Sequence, residues 1–424
     1  MRIAKVASYY GAYARSFYHS HTGLHRRPYQ EQLAALLGDC FSWADFYDEP
    51  LRKLGYETVE IIRDVEPLQR RWAAERGFPP GLSLETITAR QIADIHPDVL
   101  WFEDSSDGPP AVLRMLEEGG SRPSLVLGWT GSFVPDTDAY TGVDLTLSCA
   151  PETVEYLRKR GAAAEHLGHA FSPLVLERMR ASARAIRQEL AFFGHIHRSD
   201  GFHRDRADVL AAIAAAGHKI RIYTPQLVAG TVDPLMLGLR TARSLALYPA
   251  KLAVYAATHA LATMGTPSRV LARNRLSRRA LELNQPPQPL PPQNDLPDAL
   301  LRHSARAVFG LDMYAAIAAS HIVLNVHADS SPRYASNMRL FEVTGAGSLL
   351  LTDWRENLPE LFDPGTEVVF YKSAEECIAK ITWLMEHEKE RAQIAAAGRA
   401  RCLRDHSFEA RAAELDEIIR RRMR

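Results

Sequence analysis

The chain has 424 residues, more than one hydrophobic core usually organises, so two domains of ordinary size are expected. The Lys+Arg and Asp+Glu counts are both 51, and a formal net charge of zero argues against a nucleic-acid-binding protein. Four widely spaced cysteines indicate reduced thiols rather than a disulfide framework or a zinc ribbon. No signal peptide precedes the first apparent strand and no apolar run is long enough to span a bilayer, so a cytoplasmic protein is predicted.

Short apolar segments alternate with helical segments through the N-terminal half. The segments predicted as strands are residues 2–9, 56–62, 99–102, 124–129 and 145–148. The segments predicted as helices are residues 43–54, 87–95, 111–118 and 151–160. This alternation indicates an α/β fold with a doubly wound, mainly parallel sheet. Such sheets bind ligands at the carboxyl ends of their strands.

A second α/β unit is predicted to begin with the apolar strand 190–194, which ends in Gly194. A helix at 206–216 and a strand at 219–223 follow it. We therefore predict an N-terminal domain of residues 1–180 and a C-terminal domain of residues 181–406.

Residues from about 226 to 300 break the alternation and are predicted to form a helical, Pro-rich insertion in the second domain. It contains predicted helices at 235–264 and 270–283 and an extended Pro/Gln loop at 285–297. Its cations greatly outnumber its anions and are Arg240, Arg243, Lys251, Arg269, Arg273, Arg275, Arg278 and Arg279. Three readings fit this pattern: peripheral contact with the inner face of a membrane, a homodimer contact, or a solvated face.

The segment 336–353 carries the clearest functional pattern. It is predicted as a short helix, a glycine stop at Gly345 and a buried strand, with a polar loop before it. The free N–H groups and the positive dipole end of such a helix suit a phosphate or a diphosphate. Glu342 lies on the same helix, where a carboxylate can accept hydrogen bonds from the vicinal hydroxyls of a sugar. A nucleotide-sugar site is one reading, and an ordinary amphipathic helix with one exposed Glu is the other.

The segments around this helix resemble the C-terminal half of the GT-B glycosyltransferases. A helix running into a buried strand occupies 310–327, and Asn337, the tetrapeptide Arg339-Leu340-Phe341-Glu342 and the turn Gly345-Ala346-Gly347 follow in order. An Arg-x-Phe-Glu helix before a Gly-x-Gly turn is similar to the CgeB-like (spore maturation protein) branch of the group 1 transferases. The resemblance covers roughly residues 300–411 and extends more weakly to 95–200.

The resemblance implies a GT-B fold, in which two Rossmann-like doubly wound domains face a cleft and a closing helix, here 407–424, returns to the first domain. It implies transfer of a sugar from a nucleotide-diphosphate sugar to a hydroxyl acceptor, such as a bacterial surface glycan or its lipid-linked precursor. The acid at Glu342 would bind the donor ribose, and the loop after Gly194 would approach the donor phosphates. The donor-binding candidates are Gly194, His195, Arg198, Ser331, Ser336, Asn337, Arg339 and Glu342.

Candidates for a catalytic base lie in the first domain. His21 belongs to a polar loop, and Glu103 and Asp104 follow the predicted strand 99–102. One of the three would deprotonate the acceptor hydroxyl if the reaction inverts configuration. If the reaction retains configuration, the leaving diphosphate takes the proton and no protein base is required. The sequence leaves both alternatives open.

No cofactor and no metal are expected beyond the nucleotide-sugar substrate. The pairs His19/His21 and His195/His197 lack a third ligand at a suitable spacing. The absence of a Walker A sequence and of Gly-x-Gly-x-x-Gly after a strand argues against ATP hydrolysis and dinucleotide redox chemistry. Two other functions remain open: a nucleotide-sugar epimerase on the same scaffold, and a non-catalytic two-domain protein that only binds a sugar or a nucleotide.

Overall fold

The computed structural model describes residues 1–103, 109–131, 141–182, 187–196, 204–225, 234–264, 298–327 and 331–424. Within these ranges the chain forms two six-stranded parallel sheets. The first sheet consists of β1 (Arg2–Ala7), β2 (Glu57–Ile62), β3 (Val99–Phe102), β4 (Leu125–Thr130), β5 (Leu145–Ser148) and β6 (Ala164–His166). The second consists of β7 (Gln188–Phe193), β8 (Ile220–Thr224), β9 (Ser304–Arg306), β10 (Ser320–Asn325), β11 (Leu349–Asp353) and β12 (Val369–Tyr371).

Helices cover both sheets. Those that precede β7 along the chain are α1 (Gly11–Ser20), α2 (Tyr29–Gly38), α3 (Asp48–Lys53), α4 (Glu66–Glu75), α5 (Leu84–Ile95), α6 (Pro109–Glu118), α7 (Pro151–Lys159) and α8 (Pro173–Ser182). Those that follow are α9 (Arg204–Ala215), α10 (Pro234–Thr263), α11 (Asp298–Leu301), α12 (Gly310–Ala318), α13 (Arg339–Ala346), α14 (Leu358–Leu361), α15 (Ala374–Glu386), α16 (Glu388–Asp405) and α17 (Phe408–Met423). A short 3-10 turn spans Leu24–Arg26.

The predicted α/β architecture with two doubly wound parallel sheets is confirmed. Strands β3 and β4 are buried at every position, as expected for parallel strands whose two faces are both covered by helices. The strand order is β2-β1-β3-β4-β5-β6 in the first sheet and β12-β11-β10-β7-β8-β9 in the second. The direction of winding therefore reverses between β1 and β3 in the first sheet and between β7 and β10 in the second.

One predicted helix is much shorter than expected. Residues 43–54 were predicted to be helical, but α3 covers only Asp48–Lys53. Just before it, Cys40, Ser42 and Ala44 adopt positive φ angles of 58°, 56° and 41°. A residue in the left-handed region cannot continue a right-handed helix, so this segment turns instead and presents its side chains to the core.

The last helix packs against the helices of the first sheet. The Tyr56 hydroxyl donates to Asp416 Oδ1 over 2.6 Å, and the Phe408 ring lies edge-on to Tyr47 with centroids 4.8 Å apart. The segment after β6 is held in turn, because the Phe171 amide donates to the His406 carbonyl over 2.9 Å. One core cluster accordingly contains buried side chains from both sheets, among them Trp101 and Val323.

The predicted insertion leaves the second sheet between β8 and β9, where α10 runs for 30 residues and contains Pro249. The predicted helix 270–283 and the Pro/Gln loop 285–297 lie outside the described residues. In the described part of the chain, no helix combines the length and the apolar character needed to cross a membrane.

Candidate functional site at the carboxyl edge of the second sheet

Several polar side chains meet where the winding of the second sheet reverses. Strands β7 and β10 are neighbours, with Phe192 paired to Leu324, so Gly194 and His327 follow adjacent strand ends. In doubly wound sheets, ligands bind outside the carboxyl ends of the strands at this reversal. We call this region the switch-point site and define it by residues Gly194, His195, Asn325, His327, Asn337, Arg339, Glu342 and Asp353.

Helix α13 enters the site with its N-terminus and passes close to Phe171, which lies between β6 and α8. It begins at Arg339 and ends before Gly347, which has a φ of 93° and is the left-handed C-cap. The prediction of Gly345 as the stop is wrong, because Gly345 lies inside the helix. A Cβ atom there would lie 2.2 Å from the Phe171 ring, so a glycine is required for the helix to approach this closely.

Arg339 and Glu342 form an ion pair one turn apart on α13, with 2.7 Å between Nη1 and Oε2. The Tyr314 hydroxyl donates to the other carboxylate oxygen over 3.4 Å, and burial raises the pKa of Tyr314 well above its ordinary value. Glu342 is only 6% exposed, so the alternative of an amphipathic helix with an exposed Glu is wrong. The Arg339 guanidinium lies 5.5 Å from the Phe193 ring centroid and so connects α13 to the end of β7.

A chain of amide and hydroxyl groups runs from the start of α13 into the sheet. Asn337 Nδ2 donates to Asn325 Oδ1 over 2.7 Å, and Asn325 Nδ2 donates to Thr352 Oγ1 over 2.9 Å. Asn337 Oδ1 is buried, and no described residue forms a hydrogen bond with it. The Asn337 side chain is therefore fixed by one group and retains an acceptor for a ligand hydroxyl or N–H.

His327 and Asp353 form a second pair at the ends of β10 and β11. The imidazole Nδ1 lies 2.6 Å from Asp353 Oδ1, and the His327 backbone N–H donates to the same oxygen over 2.9 Å. Arg355 binds the other oxygen of Asp353 over 2.8 Å. Burial alone would raise the pKa of Asp353, but the neighbouring His327 and Arg355 lower it below its ordinary value. His327 Nε2 is buried and has no hydrogen-bond partner in the described part of the chain.

The loop after β7 is joined to the end of β10 by Arg206, near the start of α9. Arg206 Nε donates to the Val326 carbonyl over 3.0 Å and Nη1 donates to the His195 carbonyl over 3.1 Å. A Cβ atom on Gly194 would lie 3.3 Å from Arg206 Nη1, which leaves little room for a side chain there. The His195 side chain is exposed, and the predicted Arg198 lies outside the described residues.

The two predicted serines, Ser336 and Ser331, have different surroundings. Ser336 is half-buried just before α13. Ser331 donates to Glu152 Oε2 on α7 of the first domain over 3.0 Å. The backbone N–H groups of Arg333 and Tyr334 donate to the other oxygen of Glu152 over 3.0 and 3.2 Å. The loop expected to bind phosphate therefore holds a carboxylate of the first domain.

The predicted base candidates of the first domain lie in separate places. His21 ends α1, where Nδ1 lies 2.9 Å from the Phe17 carbonyl and the imidazole stacks on the Phe17 ring. Glu103 is buried after β3, with Lys5 Nζ at 3.3 Å and the Ser42 hydroxyl at 2.5 Å. In the described part of the chain no contact joins His21 to Glu103. Asp104 lies outside the described residues.

Five residues with evident roles were not predicted: Asn325, His327, Asp353, Arg206 and Glu152. A signal for the first three exists in the sequence, since polar residues follow two apolar runs at the carboxyl ends of parallel strands. Arg206 and Glu152 carry no local signal, because their partners are 120 and 179–182 residues distant along the chain. Among the described residues, no group of three or more His, Cys, Asp or Glu side chains is placed to hold a metal ion.

Comparison with known proteins adds one family match and several structural likenesses. Residues 294–417 match the family model described as "Glycosyl transferase-like". No curated protein matches the chain. Similar solved structures include sucrose-phosphate synthase from Thermosynechococcus elongatus (11% identity, 99% of this chain and 98% of that chain, TM-score 0.48).

Two further structures of similar size show the same level of likeness. Anabaena HepE in complex with UDP-glucose has 10% identity over 99% of this chain and 100% of that chain, with a TM-score of 0.49. UDP-GlcNAc 2-epimerase from Neisseria meningitidis has 10% identity over 99% of this chain and 100% of that chain, with a TM-score of 0.45. At these values the likenesses by themselves assign no function. The segment 294–417, which matches the family model, contains α13 and the ends of β10 and β11.

Proposed function

We propose that this protein is a glycosyltransferase that moves a sugar from a nucleoside-diphosphate sugar to a hydroxyl acceptor. One observation carries the proposal. The glycosyl transferase-like segment places its helix start, with the Arg339–Glu342 pair, at the strand-order reversal of the second sheet. Doubly wound folds bind their ligands at such reversals, and helix N-termini favour anions.

The donor would be held by residues of the second domain. A carboxylate has about four lone-pair sites, and the contacts with Arg339 and Tyr314 leave acceptor capacity on Glu342 for ribose hydroxyls. Asn337 offers its unpaired Oδ1 to a further hydroxyl. The cation of Arg339 and the backbone of Gly194 and His195, with Arg198 and Ser336 nearby in the sequence, would receive the diphosphate.

The acceptor would bind from the first domain, and we propose that the reaction requires no metal. Cationic side chains and a helix dipole can stabilise a departing diphosphate electrostatically. His21, Glu103 and Asp104 remain the candidates for a base if the reaction inverts configuration. The CgeB-like branch and a surface-glycan or lipid-linked acceptor are part of the same proposal, as is a membrane or dimer contact through the basic insertion.

Calorimetry with UDP, GDP, dTDP, CMP and ADP, with and without EDTA, tests the donor site. We expect micromolar binding of one nucleotide, unchanged by EDTA, and then release of that nucleotide from its sugar conjugate only when a hydroxyl acceptor is present. Conversion of the donor without an acceptor would show an epimerase instead. Saturable binding with no turnover would show a binding protein, and binding of no nucleotide would overturn the donor site.

A further inference from the structure

The His327 ring is held in place by the Asp353 carboxylate. Both the ring Nδ1 and the backbone N–H of His327 point at one oxygen of Asp353, at 2.6 and 2.9 Å. With Nδ1–H donated to the carboxylate, the tautomer and the orientation of the ring are fixed, and the opposite nitrogen is left for a partner. An adjacent carboxylate also stabilises the imidazolium form when a proton is added.

Among the described residues, the opposite nitrogen has no hydrogen-bond partner. His327 is 2% exposed and its Nε2 is buried without a hydrogen bond. An unpaired buried polar atom is unfavourable, so such atoms are rare unless a water, an ion or a ligand forms a hydrogen bond with them. The second unpaired acceptor, Asn337 Oδ1, is linked to this pair through Asn325 and Thr352, whose hydroxyl lies 3.4 Å from Asp353 Oδ1.

The charged and titratable groups around His327 limit what its partner can be. On β11 and just beyond it lie the Asp353 carboxylate and Arg355, which pairs with Asp353 Oδ2. On α9, Arg206 binds the carbonyl of Val326, the residue before His327. On β12, Tyr371 donates to the Asn325 carbonyl over 3.2 Å, and burial raises its pKa well above the ordinary value. Two guanidinium groups against one carboxylate give these surroundings a positive formal charge, which favours an anionic partner.

We propose that His327, oriented by Asp353, binds a phosphate group of the nucleoside-diphosphate donor through Nε2 in its protonated form, so that donor binding is coupled to uptake of a proton. The proposal rests on the proposed function and deepens it. An incoming phosphate favours the imidazolium because opposite charge within hydrogen-bond distance stabilises the protonated ring. A charge-assisted hydrogen bond then forms where the buried nitrogen had none. Asp353 acts as a positioning residue, since it reaches the ligand only through His327.

The test is calorimetry of the nucleotide that binds, at pH 7.5, in two buffers with different ionisation enthalpies. For the wild type we expect the measured enthalpy to differ between the buffers in the sense of proton uptake. For His327→Gln we expect no buffer dependence and a dissociation constant about 10- to 100-fold higher. For Asp353→Asn we expect reduced uptake and an intermediate loss of affinity. The control His387→Gln changes a half-buried histidine that stacks on Trp383, between α15 and α16, and should behave as the wild type.

The possible results separate this inference from the proposed function. If the wild type binds the nucleotide with no buffer dependence and His327→Gln binds equally well, His327 Nε2 holds only a structural water and the inference is overturned, while the donor site stands. If no nucleotide binds the wild type, the donor site and the inference both fail. Thermal melting shows whether His327→Gln is folded. If it is not, the buffer dependence of the wild type and of Asp353→Asn decides the question.

Discussion

Equivalent positions in the two sheets hold their charged side chains in opposite ways. After β3 of the first sheet, the Glu103 carboxylate is closed in by Lys5, Ser42 and the neighbouring Glu60, whose pKa is raised well above its ordinary value by burial. At the ends of β10 and β11 of the second sheet, His327 and the linked Asn337 each keep an unpaired buried atom. In the first cluster the cation of Lys5 faces both carboxylates, and Glu60 Oε2, which has no hydrogen bond among the described residues, still lies 3.2 Å from Lys5 Nζ. In the second cluster no opposite charge is recorded beside His327 Nε2 or Asn337 Oδ1 in the described part of the chain, so these atoms are left for a ligand.

The largest effect on stability is expected from removing the Lys5 cation from the cluster that it forms with Glu60 and Glu103. Lys5 is 3% exposed and lies within 3.3 Å of both Glu60 and Glu103. Lys5→Met would leave a buried carboxylate without its cation, and we expect the free energy of unfolding to fall by about 3–5 kcal/mol. Urea unfolding measures this loss. The control Lys53→Met, at an exposed pair with Glu49, should change little, and equal effects of the two variants would contradict the assigned role of Lys5.

A smaller loss of stability is expected where α13 packs on Phe171, between β6 and α8. In Gly345→Ala the new methyl group meets the Phe171 ring at 2.2 Å, and overpacking of this kind costs about 1–3 kcal/mol. Because α13 must shift, nucleotide affinity should fall as well. The matched control is Gly38→Ala at the end of α2, where nothing lies within 4 Å. Unfolding in urea and nucleotide titration are the two measurements, and a Gly345→Ala protein as stable as Gly38→Ala would refute the close packing.

The smallest effect on stability is expected at the contact between the domains. In Glu152→Ala the loop 331–334 loses the carboxylate that accepts from Ser331, Arg333 and Tyr334. These groups become accessible to water, so we expect a loss of only about 1 kcal/mol. Glu155→Ala, one turn along α7, is the control because that carboxylate is exposed and forms an ion pair with exposed Lys159. Urea unfolding that shows no difference between the two variants would mean that the Glu152 contact does not contribute to the free energy of unfolding.

The comparison also shows what sequence reasoning can reach. Most strands were predicted because buried parallel strands are short apolar runs that alternate with helices, as at 99–102 and 145–148. The three-residue strands β6 and β9 and the helices α1, α2 and α4 were not predicted. The helix predicted at 43–54 was too long because the chain turns at Cys40, Ser42 and Ala44, which have positive φ angles. A sequence pattern indicates positive φ at glycine, and none of these three residues is a glycine. The roles of Arg206 and Glu152 depend on partners far along the chain, so no local pattern contains them.

Within the site, the sequence identified α13 with Arg339 and Glu342 but not the environment of the acid. The neighbours of Glu342 include Tyr314 from α12, 28 residues earlier, and this contact together with the Arg339 pair helps to make the carboxylate buried rather than exposed. His327 was passed over because a single histidine after a strand is common. Only the structure shows that Asp353 contacts Nδ1 of this ring and that, among the described residues, Nε2 has no partner.

The most direct test of the central claim is the affinity of the bound nucleoside diphosphate for Glu342→Ala, measured by calorimetry beside Glu342→Gln and the exposed control Glu356→Ala. Removing charge-assisted hydrogen bonds to ribose should raise the dissociation constant of Glu342→Ala roughly 30- to 150-fold. The Gln variant, which keeps the packing against Tyr314, should show a smaller loss and Glu356→Ala none. A folded Glu342→Ala protein that binds the nucleotide as tightly as the wild type would contradict the assignment of the donor site to α13.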